Sequence, residues 1–188
     1  AILGLENRIV YDILDVINKG CTLEQALVKH SLYEKLSLLP ASQFARVKNM
    51  DPKGFRKVIS QLKNRCDFIL IDCPAGVERG LRGVVDAADE VILVSTPDDV
   101  CIRDVEKTAG VPVIGVVENM SYVACPDCGK KIYLFGEGKT AQAAAAHNLP
   151  LLAEMPIDPA LASLTDAGSI EDFQGDWLKT VADRLAEK

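Results

Sequence analysis

The sequence predicts an α/β domain built on a mostly parallel, doubly wound sheet. Three observations carry that prediction. Short apolar runs rich in branched residues recur at Phe68–Ile71, Val91–Val94 and Val113–Val117, too brief for helices and apolar on both faces, as strands buried in a parallel sheet are. Helical stretches separate them, which is the alternation that crossover connections require. Asp72 closes the first run just before Pro74 and Gly76, so a carboxylate arrives at the C-terminal edge of the sheet, where ligands of open α/β sheets bind.

The elements follow in order. Apolar periodicity predicts a helix over Arg8–Asn18 closed by Gly20, and a second over Leu23–His30 with Thr22 as its N-cap. Leu36–Leu39 reads as a short strand. Pro52 stands near a helix start, and Phe55, Val58, Ile59 and Leu62 form a helical stripe that ends before Asp67. Beyond the three buried runs, Leu151–Met155 precedes Pro156 and predicts a fourth strand. The tail over Ile170–Ala186 sets Phe173, Trp177, Val181 and Leu185 near helical spacing; the acidic and basic residues of Asp176–Lys188 balance, so it is predicted to pack on the sheet rather than on lipid.

Composition bounds the function. With 188 residues, 48% hydrophobic and 26% charged, the chain reads as one soluble domain able to bury a core. A net charge of −6 leaves no basic surplus for a phosphate backbone, which argues against a nucleic-acid partner. No apolar run approaches the ~18 residues of a membrane span, so no integral membrane segment and a cytoplasmic location are expected. Of the six cysteines, 21, 66, 73, 101, 125 and 128, only the last two have a purposeful spacing, which suits a reducing compartment. The text opens at Ala1, already inside an apolar-periodic segment, and a piece upstream is expected to be missing.

Two motifs carry chemistry. Asp72 at a strand tip can orient the hydration shell of a nucleotide-bound Mg²⁺, and Gly76 gives the following turn freedom to approach a γ-phosphate. A strand-end Asp that merely makes a turn is the plainer alternative. Cys125-Pro126-Asp127-Cys128-Gly129 sets two thiols at CxxC spacing on a knuckle shaped by Pro and Gly. A metal or cluster needs about four ligands, and the other cysteines have no matching spacing, so the missing pair most simply comes from a second chain across a two-fold axis. A shared cluster, a shared zinc, a redox dithiol and two idle thiols all remain open on chemistry alone.

The residues also carry a resemblance. Gly4–Ile17 (GLENRIVYDILDVI), Ile71–Gly83 (IDCPAGVERGLRG) and Ala88-Asp89-Glu90 resemble MinD, the division-site ATPase of the deviant P-loop group, over residues 1–108. Val111–Gly138 (VPVIGVVENMSYVACPDCGKKIYLFGEG) and Leu149–Leu161 (LPLLAEMPIDPAL) are instead similar to the Mrp-type iron–sulfur cluster carriers, over residues 109–188. The two families share one P-loop ATPase fold. The resemblance therefore implies a single, incomplete ATPase-like domain with a family junction near 108–112 and a Cys knuckle inserted at 121–138. Two features agree with a junction: Asp72 is followed by Cys-Pro-Ala-Gly, and Pro97–Gly110 leaves room only for a minimal crossover helix.

By this resemblance Asp72 is the Walker B carboxylate and Pro74, Ala75 and Gly76 form the switch that senses the γ-phosphate. Asn119 matches the position that reads the adenine base, an amide that both donates and accepts, with Pro156, Ile157 and Asp158 flanking that base. Cys125 and Cys128 would hold a [4Fe–4S] cluster bridging a homodimer, for delivery to apo iron–sulfur proteins, and ATP with Mg²⁺ is expected of the intact family. The flanking ENMSY and FGEG segments favour the cluster over zinc.

One part is missing. A P-loop needs G-x-x-x-x-G-K-[ST], and the only Gly-Lys-Thr, Gly138-Lys139-Thr140, has Tyr133 where the first Gly belongs. In both families the signature lysine lies upstream of the GLEN segment, so ATP hydrolysis is a property of the family that this chain does not carry unaided. A MinD-type regulator of division-site placement and a zinc-knuckle dimer without turnover are the alternative functions.

Overall fold

The computed structural model describes residues 2–42, 51–73, 83–97 and 111–187. The chain forms two compact units, Ala1–Ala88 with Ser163–Asp172, and Asp89–Ala162 with Phe173–Lys188.

In the first unit, Glu6–Arg8 is a turn of 3₁₀ helix and α1 spans Ile13–Ile17. Only the second half of the predicted Arg8–Asn18 helix is therefore α-helical. The cause is local: Asp12 caps α1 by accepting from Leu14 at 2.7 Å and Asp15 at 3.2 Å, which fixes its start there. At the other end Lys19 takes the left-handed conformation, with φ of 63°, and the Gly20 N–H donates back to Asp15. Thr22 caps α2, Leu23–Ala26, in a reciprocal box with Gln25, as its hydroxyl predicted. The helix stops four residues before His30, because Val28–Lys29 forms a strand, β1, paired antiparallel with β2, Ser37–Leu38.

Helix α3, Pro52–Lys63, is the longest element of this unit. Asp51 accepts from Lys53 and Gly54 at 3.0 Å, and Pro52 sits in the first turn, where its missing N–H costs nothing. Phe55, Val58, Ile59 and Leu62 are buried with Leu23 and Val84 as the core. His30 is buried beside them in the unit. Its Nδ1 accepts from Leu32 and Tyr33 at 3.2 Å, so Nε2 carries the proton, 3.7 Å from a Glu171 carboxylate oxygen.

The predicted strand at Phe68–Ile71 is not a strand. Ile69 and Ile71 pack against the core, but Phe68 is 58% and Leu70 85% exposed, so the segment is buried on one side only. Among the described residues no neighbouring strand offers it a ladder of hydrogen bonds.

The second unit carries the parallel sheet, in the order β3 (Val91–Ser95), β4 (Val113–Glu118), β7 (Leu151–Glu154). Both pairings are parallel, and all three strands lie where branched apolar runs predicted them. Central β4 is the most buried; outer β3 leaves Val94 65% exposed, so not every strand is covered on both faces. Helix α4, Lys139–Ala146, packs Ala144 with Val116 and Leu93. It connects β4 to β7 as a crossover. Helix α5 spans Pro159–Ala167, and α6, Lys179–Ala186, packs on β7 with Val181 buried. The tail thus lies on the sheet, although Phe173 and Trp177 precede α6 and meet in a tilted ring contact at 5.2 Å.

Candidate functional site

The thiol pair sits at the tip of a short hairpin. Strands β5, Val123–Ala124, and β6, Lys131–Ile132, pair antiparallel, with Val123 opposite Ile132 and Ala124 opposite Lys131. Across the tip the Cys125 N–H donates to the Lys130 carbonyl at 2.9 Å and the Gly129 N–H to the Cys125 carbonyl at 2.8 Å. Gly129 has a φ of 70°, the left-handed turn that lets the chain fold back beneath the sulfurs.

This turn aims donors at one sulfur. The backbone N–H of Cys128 and then that of Asp127, with the Cys128 thiol, hold the Cys125 thiol below its ordinary pKa, against a smaller opposing effect of desolvation. The thiolate is the form that binds metal. Cys125 is half-buried and Cys128 exposed. Among the described residues no three His, Cys, Asp or Glu side chains gather as a metal-holding group.

The hairpin is tied to the sheet. The Ser121 N–H donates to Met155 and the Ile157 N–H to Tyr122, both at 2.8 Å, while Met155 donates to Glu118 at 2.8 Å. This lacing brings Asn119, Pro156 and Ile157 together at the end of β4, next to the root of the hairpin. Asn119 donates its N–H to Ser95 at 2.7 Å, and its side-chain oxygen accepts from Met120 at 2.9 Å. Pro156 is buried, Ile157 and Asp158 half-buried; an Asp158 carboxylate oxygen accepts from Ala160 at 2.7 Å where α5 begins.

Sequence reasoning missed four residues around the hairpin. The Lys131 ammonium lies 3.4 Å from a Glu154 carboxylate oxygen and 4.2 Å from the centre of the Tyr122 ring, with Tyr133 5.9 Å from Tyr122. Desolvation lowers the Lys131 pKa, but Tyr122, Tyr133 and Glu154 together outweigh it and raise it. The available signal was the register: in this hairpin with a CxxC tip, Lys131 faces Ala124, the residue just before the first thiol.

Polar groups also enter the interior at the end of β4. Glu118, Ser121 and Thr140 are buried, and Glu118 Oε2, Ser121 Oγ and Thr140 Oγ1 have no hydrogen-bond partner among the described residues. Each such group costs about 1–3 kcal/mol, an expense that packing alone does not select.

Asp72 lies in the first unit, exposed at the end of the Phe68–Ile71 segment. Its neighbour Cys73 has a thiol pushed up by desolvation and then by the Asp72 charge. Pro74, Ala75 and Gly76 and most of the segment around the expected junction lie outside the described residues. Gly138-Lys139-Thr140 opens α4 with Gly138 left-handed, but the strand before it is the two-residue antiparallel β6, exposed throughout. A phosphate loop needs a buried parallel strand there, so this is not one.

A protein-family model described as ParA, NUBPL iron-transfer P-loop NTPase, matches residues 53–187, which include both sheet and knuckle. The chain belongs to this family of iron-transfer P-loop NTPases. Other relatives of this ParA-type domain are division proteins. Septum site-determining protein MinD of Thermotoga maritima is 42% identical over 121 residues, 64% of this chain and 43% of that protein. The chain spans less than half the length of the curated MinD proteins it matches. The MinC:MinD cell division protein complex of Aquifex aeolicus superposes with a TM-score of 0.77 at 30% identity, over 100% of this chain and 77% of that one. MinD of Pyrococcus horikoshii, solved with Mg-ADP, gives a TM-score of 0.75 at 27% identity, over 98% of this chain and 76% of that one. The α/β P-loop NTPase fold and the MinD/ParA/Mrp kinship follow directly. Among the described residues no helix is long and apolar enough to cross a membrane.

Proposed function

We propose that this protein is the cluster-holding part of an ATP-dependent iron–sulfur carrier of Mrp type, in which Cys125 and Cys128 ligate a [4Fe–4S] cargo shared with a second copy of the chain. The observation that carries this reading is the knuckle itself: a turn whose N–H groups stabilise the Cys125 thiolate and which gathers two ligands, not four. The family match supports it, since iron transfer is in its description and its residues span the knuckle. Apo iron–sulfur proteins are the expected recipients.

In this reading Asp72 orients a magnesium ion on the nucleotide, with Pro74 and Gly76 sensing its terminal phosphate. Asn119, Pro156, Ile157 and Asp158 receive the base. The Mg-ADP bound by a structural relative makes that nucleotide class the natural one, and the lacing of residues 118–122 to 155–157 keeps these residues at one end of the sheet. The test is anaerobic reconstitution with iron and sulfide. One cluster per pair of chains, with visible sulfide-to-iron absorption lost in Cys125→Ser and Cys128→Ser, is expected. A colourless protein, or colour indifferent to those substitutions, removes the proposal; zinc without iron on metal analysis would leave a structural knuckle instead.

A MinD-type regulator of division-site placement is the second reading, favoured by the identity to MinD and the superposition along the whole chain. A membrane-switched regulator needs lipid contact. Co-sedimentation with anionic liposomes separates the two: binding supports the regulator, and its absence together with a reconstituted cluster supports the carrier.

A further inference from the structure

The hairpin that presents the thiols is held unevenly. Its incoming strand is fixed by main chain, through Tyr122 to Ile157 and Ser121 to Met155. Its outgoing strand, β6, is exposed at both residues and meets the sheet through Lys131. Strands of two residues, paired only with each other, make a stem too short to hold a direction unaided. What sets the angle of the sulfurs must therefore act on β6.

We infer that Lys131 is the positioning residue of the thiol pair, fastening β6 to Glu154 of β7 on one side and to the Tyr122 ring on the other, and so fixing the direction in which Cys125 and Cys128 face a shared metal. The inference rests on reading those cysteines as ligands. Its geometry is independent of that reading: one ammonium spans 3.4 Å to a carboxylate on the sheet and 4.2 Å to an aromatic face at the root of the hairpin. A cation suits both, because a carboxylate and the negative face of a ring each attract positive charge. The placement is also economical in sequence, since Lys131 faces Ala124, the residue just before the first thiol.

The contact is built for aim rather than for stability. Lys131 and Glu154 side chains remain 45% and 32% exposed, and ion pairs so open to water add little to folding. A site divided between two chains, however, requires both thiol pairs to arrive at the geometry of one metal, and loss of the groups that orient metal ligands typically weakens affinity roughly ten- to hundredfold. The two quantities should then separate in one variant.

The experiment is an anaerobic cobalt(II) titration of the whole chain, read by thiolate-to-cobalt absorption, with thermal unfolding of the metal-free protein alongside. Lys131→Met keeps the aliphatic stem and removes the charge; Lys131→Arg keeps the charge and the stacking. The expected result is a cobalt affinity lowered about ten- to hundredfold in Lys131→Met, restored in large part in Lys131→Arg, with the unfolding midpoint of the metal-free protein close to that of the unsubstituted chain. Glu154→Gln should weaken binding in the same direction. Unchanged affinity in Lys131→Met overturns the inference and leaves the thiol ligands standing. An equal loss in Met and Arg variants also overturns it, and failure of the unsubstituted chain to bind cobalt through thiolate overturns the ligand reading beneath it.

Discussion

Replacing Gly115 by alanine tests why β4 and β7 can lie as they do. Gly115 has a φ of +155°, and a Cβ there would stand 2.5 Å from Leu152 Cγ and 2.7 Å from the Pro150 carbonyl oxygen. Leu152 can rotate away in part. The carbonyl cannot, because it already accepts the Val116 N–H at 2.9 Å, within the ladder that carries Asn119 and the knuckle. Backbone strain of about 1–3 kcal/mol and overpacking of about 1–3 kcal/mol add to a loss of about 2–6 kcal/mol. Gly129→Ala is the matched control: its φ is also positive, at +70°, but a Cβ there meets nothing within 4 Å, leaving only a left-handed penalty of about 1–2 kcal/mol. Equilibrium unfolding in urea measures both, and each lost kcal/mol should lower the melting midpoint by roughly 2–4 °C in a chain of this size. If Gly115→Ala costs no more than Gly129→Ala, close backbone approach is not what glycine provides in β4.

Further expectations follow from the same contacts. Alkylation resolved by peptide mass spectrometry should modify Cys125 at lower pH than Cys21 or Cys73: N–H donors depress the Cys125 pKa, while desolvation raises the other two, helped by Asp15 and Asp12 at Cys21 and by Asp72 at Cys73. The thiolate, and with it metal binding, is present above the depressed Cys125 pKa and is lost as pH falls through it. Asp51→Ala removes the cap of α3 and should cost about 1 kcal/mol in urea unfolding with no change in m-value. His30→Leu strands the N–H groups of Leu32 and Tyr33 and a buried Glu171 carboxylate, so it should cost about 1–3 kcal/mol despite adding an apolar side chain.

What could be read from residues alone was decided by how local each cause is. Pro52 with its apolar stripe, Thr22 as a cap and the runs at Val91–Val94, Val113–Val117 and Leu151–Met155 are written within a few positions, and the structure has them where the sequence put them. The CxxC turn was legible for the same reason. Phe68–Ile71 was misread because composition cannot tell whether a neighbouring strand lies alongside, and β1 was hidden because Leu23–His30 satisfies a helical period until Val28 finds Leu38. Lys131 escaped because its partners lie 9 residues before it and 23 after it, joined by no period. The roles expected of Asn119, Pro156 and Ile157 came only through family resemblance; the hydrogen bonds that join Glu118 and Ser121 to Met155 and Tyr122 to Ile157 depend on β4 and β7 being neighbours in space.

The oxygens of Glu118, Ser121 and Thr140 that lack a partner among the described residues have a bearing on how this chain would respond to selection for endurance. Under heat, with no demand for activity, replacements such as Ser121→Ala or Thr140→Val should accumulate first, because each removes a desolvated dipole without opening a large void. A lineage hardened in that way would keep its sheet and forfeit whatever guest or solvent those oxygens are kept for. Variants recovered from such a selection would mark, by their silence in a functional assay, the spot where durability was surrendered for work.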